Sequence, residues 1–270
     1  QQNLFEAETF WRQTLKGFTA PTKIGENQNN QQTSTDNYKE QQLRLQASTT
    51  AALQSLAQKH QLTLNTLVQG AWALLLNRYS GEADVLFGVT VSGRPAALPK
   101  AESMVGLFIN TLPFRVEVDP EAFLLPWLKQ VQVQQVETRQ YEYSPLVEIQ
   151  GWSEVNRGLP LFESILVFEN YPVDISLSEP GLDLAIKNFR SIEQTNYPLT
   201  LSVIPGRELL LTIAYNEGER FAAATIERML GHLATLLNTM VANPQQRLKE
   251  LSLLTAAEKQ QLLVEWNNTK

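Results

Sequence analysis

Cysteine is absent from the 270-residue chain. Its absence excludes disulfides, cysteine-ligated zinc sites and thiol nucleophiles together, and it fits a reducing, cytoplasmic setting. Histidine is nearly as scarce, with two residues, His60 and His232, and neither has a Ser or Asp partner at a recognisable spacing. No apolar run reaches the roughly 18 residues that a membrane span needs. The opening "QQNLFEAETFWRQ" has neither the basic start nor the apolar stretch of a signal peptide. Positive charge is also short, with 22 Lys and Arg against 28 Asp and Glu, a net charge of −6. With no local basic cluster, neither nucleic acid nor an anionic membrane is an expected partner. H-x-x-x-H, C-x-x-C, G-x-x-x-x-G-K-[ST] and G-x-S-x-G are all missing, so the main metal, nucleotide and hydrolase motifs fail. No metal site is expected. The first residue is not Met and lies inside an amphipathic segment, so the chain reads as a piece of something longer.

What remains is ordinary for a globular protein: 43% hydrophobic and 19% charged residues. Residues 4–16 place Leu4, Phe5, Phe10, Trp11 and Leu15 on a helical stripe, and a polar stretch rich in Asn, Gln and Thr follows to about residue 40. A strand is expected at 42–47, where Leu43 and Leu45 alternate with polar residues. Ser48-Thr49-Thr50 then reads as the cap of a helix reaching His60, whose cation would suit the helix's C-terminal end. Thr63 caps a second helix. "DVLFGVTV" (84–91) has the β-branched character of a buried strand after the turn at Gly81. Another strand is expected at 107–118 and a helix at 121–141, with Pro126 in its first turn. A short strand is expected at 164–170. Around Pro205-Gly206, alternation predicts a hairpin over 198–215, with the Pro-Gly pair central in a type II turn. Helix 222–241, an extended exit and a short helix from Thr255 to near Trp266 complete the pass. Helices and strands are mixed, and the hairpin calls for a mixed or antiparallel sheet.

The carboxylates Glu142, Glu148, Glu154, Glu163 and Glu169 read as solvated-face residues, and Trp127 and Trp152 as packing groups. The unusual stretch is "MVGLFINTLPFRV" (104–116), a buried-looking run with Asn110-Thr111 at its centre. A buried amide persists only when paired, and Pro113 leaves a sheet one donor short. The pair therefore either satisfies backbone where the strand deforms, with Arg115 pairing locally, or lines a ligand path. Ser92 and Arg94, in the Ser-Gly-Arg-Pro exit of the earlier strand, pose the same alternative.

"LNRYSGEADVLFGVTVSGRP", "VGLFINTLPFRV" and "YEYSPLVEIQGWSEV…LPLFESILVFENYP" together resemble the condensation domains of nonribosomal peptide synthetases. Val105 to Thr111, closed by Arg115, is similar to the family's fifth core motif. Tyr141 to Val147 stands where the family has His-Gln-Asp-x-Pro-Phe-Glu, and keeps Pro145. "EVNRGLPL" stands at the seventh motif and keeps Pro160-Leu161. "LSLLTAAEKQQLLVEWNNT" is similar to the linker into an adenylation domain. The resemblance covers the C-terminal half of the family domain, and the family's His-His-x-x-x-Asp-Gly motif, which belongs to the other half, is missing.

The resemblance implies an α/β fold: a chloramphenicol-acetyltransferase-like lobe with helices packed on a mixed sheet. It implies a connector over 1–37, the C-terminal lobe over 38–250 and the adenylation-side linker over 251–270. The implied activity is amide-bond formation between two carrier-protein-bound thioesters, with this piece alone inactive and no catalytic residue of its own. Ser92, Arg94, Asn110, Thr111, Arg115 and Tyr141 are its tunnel or motif candidates. No cofactor is expected to bind directly. The phosphopantetheine arms of carrier proteins would enter the tunnel, and the N-terminal lobe, the carriers and the adenylation domain are the implied partners. An epimerisation domain of the same fold, or a module that only docks carriers, stand as alternatives.

Overall fold

The structure is a computed structural model that describes residues 3–25, 38–94, 103–169, 194–217 and 220–266. In chain order its elements are α1 (Leu4–Thr14), β1 (Tyr38–Arg44), α2 (Ala47–His60), α3 (Leu64–Ser80), β2 (Asp84–Val91), β3 (Asn110–Glu117), α4 (Leu124–Arg139), α5 (Leu146–Trp152), β4 (Ser164–Phe168), β5 (Leu199–Ile204), β6 (Leu210–Asn216), α6 (Ala223–Ala242) and α7 (Ala256–Gln260). The strands form one sheet in the order β1-β6-β5-β4-β2-β3. β4 runs parallel to both β2 and β5, and the other pairings are antiparallel. The sheet is therefore mixed.

Burial follows the sequence pattern. In β3, Leu112, Phe114 and Val116 alternate into the core. α3 is buried along most of its length, including Leu67, Val68, Trp72 and Leu75, because it is packed on β2, α4, α2 and α6. Thr63 accepts from the Thr66 amide, and Gly81 ends the helix in the left-handed region at φ 76°. α1 belongs to the same core, with Ala7, Trp11 and Leu15 buried, as are Phe18 and Ile24 after it. Thr22 of that segment accepts from the Leu86 amide of β2 at 2.9 Å.

Several expectations shift. β1 starts at Tyr38 and is finished by residue 44, and α2 begins at Ala47 with no side-chain cap. The expected cap hydroxyls have tertiary partners instead: Thr50 Oγ1 accepts from the Leu209 amide and Thr49 bonds to Asn238. The 198–215 hairpin forms, but β5 and β6 register Ile204 against Leu210, so residues 205–209 make a five-residue loop. Gly206 does not adopt the positive φ that a type II turn requires. β3 begins only at Asn110: Leu107, expected in the strand, is 91% exposed, and Val105, of the same buried-looking run, is fully exposed at 103%. Pro113 is accommodated because β3 is an edge strand. Beyond Gln260 the last helix continues as a π-turn through Glu265.

Candidate functional site

Five of the six candidate residues gather at one end of β2 and β3. Val91 pairs with Asn110, so the exit of β2 lies beside the start of β3. Asn110 Nδ2 donates to the carbonyls of Glu142 and Ser144 at 2.9 and 2.8 Å, and its Oδ1 accepts from the Thr111 amide at 2.9 Å. One carboxamide thereby fixes the turn between α4 and α5 onto the edge strand. Tyr141, in that turn, stacks on Phe10 of α1 with ring centroids 4.3 Å apart. Tyr143 donates its hydroxyl to the Asn3 carbonyl at 3.1 Å.

Ser92 Oγ accepts from the Arg94 amide, and Arg94 donates to the Met104 carbonyl at 3.0 Å. The Arg94 guanidinium sits 4.4 Å from the centre of the Phe108 ring, a cation–π contact. Gly93 between them has φ 61°, and a Cβ there would run into the Phe108 carbonyl. Only glycine lets the two segments approach so closely. Around this end the apolar side chains of Phe5, Val105, Leu107, Ile109 and Val147 are exposed.

Arg115 stands apart, five residues along the strand and thus about 17 Å away. It makes a bidentate pair with Asp84, at 3.0 Å to Oδ1 and 2.7 Å to Oδ2, and donates to the Thr14 and Lys16 carbonyls. It ties the end of α1 to β2 and β3, and it borders a groove of about 380 Å³ that also contacts Phe10, Trp127, Gln130 and Gln134. The carboxamide and the guanidinium of the motif thus both bind protein groups.

Three groups depart from the sequence reading. Glu163 is buried, and pairs with Arg220 at 2.6 Å. Glu142 is partly buried, and that burial raises its carboxyl above the ordinary range, partly offset by Arg139. His232 does have partners: Tyr79 at 2.9 Å on Nδ1 and Glu258 at 3.0 Å on Nε2. A separation of 153 residues for the first pair left no local spacing to read. Among the described residues no group of three or more His, Cys, Asp or Glu could hold a metal, and no helix is long and apolar enough to cross a membrane.

The mixed six-stranded sheet with helices packed against it is the chloramphenicol-acetyltransferase-like architecture of condensation-domain lobes. A four-domain nonribosomal peptide synthetase bound to AMP and glycine matches this chain at a TM-score of 0.79 and 21% identity, over 94% of this chain and 20% of that one. The first condensation domain of the calcium-dependent antibiotic synthetase, solved with a substrate analogue, matches at a TM-score of 0.69 and 15% identity, over 93% of this chain and 54% of that one. At the level of sequence, the condensation-domain model matches residues 1–263. A linear gramicidin synthase from Brevibacillus parabrevis is 52% identical over the whole of this chain, which spans 4% of that protein's length. Bacitracin synthase 3 of Bacillus licheniformis is 35% identical, again over the whole of this chain and 4% of its own length. The chain belongs to the condensation-domain family of nonribosomal peptide synthetases.

Proposed function

We propose that the chain is the C-terminal lobe of a condensation domain that joins two carrier-bound aminoacyl or peptidyl thioesters through a peptide bond. The observation that carries this reading is proportion. The chain is matched nearly end to end, yet spans about half of a solved condensation domain. The exposed apolar row at the β3 entrance supports it, because Val105 and Leu107 are unusual at full exposure unless something covers them. The occupant in this reading is the N-terminal lobe, which brings the family's histidine motif.

The acceptor amine attacks the donor thioester carbonyl, and the donor's thiol departs as the amide forms. This lobe's part is positioning: it walls the tunnel and holds the 141–145 turn through Asn110 while the histidine of the other lobe assists the amine. Positioned reactants gain on the order of 7–11 kcal/mol over free ones. Phosphopantetheine arms on the carriers deliver both substrates past Ser92, Arg94, Asn110, Thr111 and Tyr141, and the segment from 251 leads toward an adenylation domain. Co-purification of this chain with a separately expressed N-terminal lobe tests the reading. Association lost in Val105→Asp plus Leu107→Asp supports it, and association indifferent to those changes refutes the interface.

A further inference from the structure

We propose that His232 is a protonation-sensitive clasp that holds the C-terminal helix against the lobe and tightens when the imidazole gains a proton. The ring is 5% exposed on α6. Its Nε2 lies 3.0 Å from both carboxylate oxygens of Glu258 on α7, and its Nδ1 lies 2.9 Å from the Tyr79 hydroxyl of α3. A nitrogen facing two carboxylate oxygens carries the hydrogen, so in the neutral ring Nδ1 is bare and Tyr79 donates to it.

Protonation needs no heavy atom to move. A proton from solvent binds Nδ1, the Tyr79 hydroxyl rotates, and Nδ1–H donates to the tyrosine oxygen. The same step converts the Nε2–H···carboxylate hydrogen bond into an ion pair. Among the described residues, the charged or titratable groups that face the ring are Tyr79 from α3, Glu258 from α7 and Arg228 of α6. Arg228 stands 3.9 Å from Glu258 and shares its charge with the imidazolium. Burial raises the Tyr79 hydroxyl to about 12, with Arg228 opposing and Glu258 adding to the shift, so Tyr79 stays neutral throughout. Burial acts to raise the Glu258 carboxyl, but hydrogen bonds from Thr255 and His232 prevail and hold it below the ordinary range.

Two features make this contact decisive for the helix. No residue from 257 to 266 is buried, so apolar packing contributes little to holding the segment. Glu258 also caps α7 itself, its Oε2 accepting from the Thr255 amide and hydroxyl at 2.8 Å each. The carboxylate that holds the helix to the lobe also starts the helix, so losing one weakens the other. This inference stands independently of the lobe interface proposed above.

The test is amide hydrogen exchange on the whole chain at pH 6 and pH 8, corrected for intrinsic rates. Protection across 255–265 is expected to be several-fold higher at pH 6 than at pH 8, because histidine is the side chain whose charge ordinarily changes between pH 5 and 8. Glu258→Ala should lower protection there roughly tenfold or more, since it removes the charge-assisted bond to His232 together with the Thr255 cap, while β5 and β6 keep theirs. His232→Gln and Glu258→Gln should both flatten the pH response. Unchanged protection in Glu258→Ala would overturn the clasp, as would a pH response that survives in Glu258→Gln. The Glu258 variants carry the test on their own if His232→Gln unsettles the core.

Discussion

Replacing Asn110 by Ala removes three hydrogen bonds at once. The carbonyls of Glu142 and Ser144 lose a shared donor, and the Thr111 amide loses its acceptor. A buried polar group left unmatched costs about 1–3 kcal/mol. Asn110 is half-buried, so water can reach part of what is exposed, and the sum settles near ~2 kcal/mol rather than three full penalties. For a chain of this size that corresponds to a fall in Tm of roughly 4–8 °C. Asn110→Asp is the sharper probe. It keeps the acceptor for Thr111 but turns a carboxylate oxygen toward two carbonyl oxygens, and should destabilise more than Ala does. Thermal unfolding of the three proteins, with exchange across 140–145, reads the effect. A melting point within a degree of wild type in Asn110→Ala would refute the reasoning, and would return the carboxamide to a ligand-facing role.

Other outcomes follow from the same geometry. Arg220→Ala leaves the buried Glu163 carboxylate alone. It should cost about 3 kcal/mol, the low end for a broken buried pair, since the Arg220 side chain keeps a quarter of its surface in water; denaturant unfolding measures it. Gly93→Ala must leave the left-handed region and push Phe108 away, so it should destabilise by roughly 2 kcal/mol or more and speed exchange at 103–109. Glu142 is held above the ordinary carboxyl range by burial, so the fold favours its protonated form. That contribution is complete below the unfolded pKa and is lost as pH rises through the folded one. Glu142→Gln should therefore raise the melting point at pH 7 and leave it unchanged near pH 3.5.

Much of the fold was legible because burial enforces periodicity. The stripe of α3, the continuous run of β2 and the alternation of β5 and β6 each reflect one dominant environment. Boundaries failed where a polar side chain found a distant partner. Ser48 to Thr50 read as a cap, yet Thr50 serves the Leu209 amide across 159 residues. The Pro205-Gly206 pair read as a tight turn, but the strand register asked for a longer loop. At the site, Asn110 was identified as a residue needing partners. Those partners are backbone carbonyls 32 and 34 residues away, which no side-chain pattern encodes. "VGLFI" looked buried because its composition is apolar. Yet Val105, Leu107 and Ile109 are exposed, and apolar composition alone does not distinguish a buried run from an exposed one. The His232 partners were missed for a related reason: the nearer one, Glu258, lies 26 residues away on another helix.

The half-domain reading meets its most direct test in a single-turnover condensation assay, with donor and acceptor carriers both loaded. The chain is assayed alone, with a separately made N-terminal lobe, and as His60→Ala plus His232→Ala with that lobe. Amide product is expected only when the N-terminal lobe is present, and it should still form in the double variant, since on this reading neither histidine takes part in the chemistry. Product from this chain alone would contradict the reading and place the reaction within these residues.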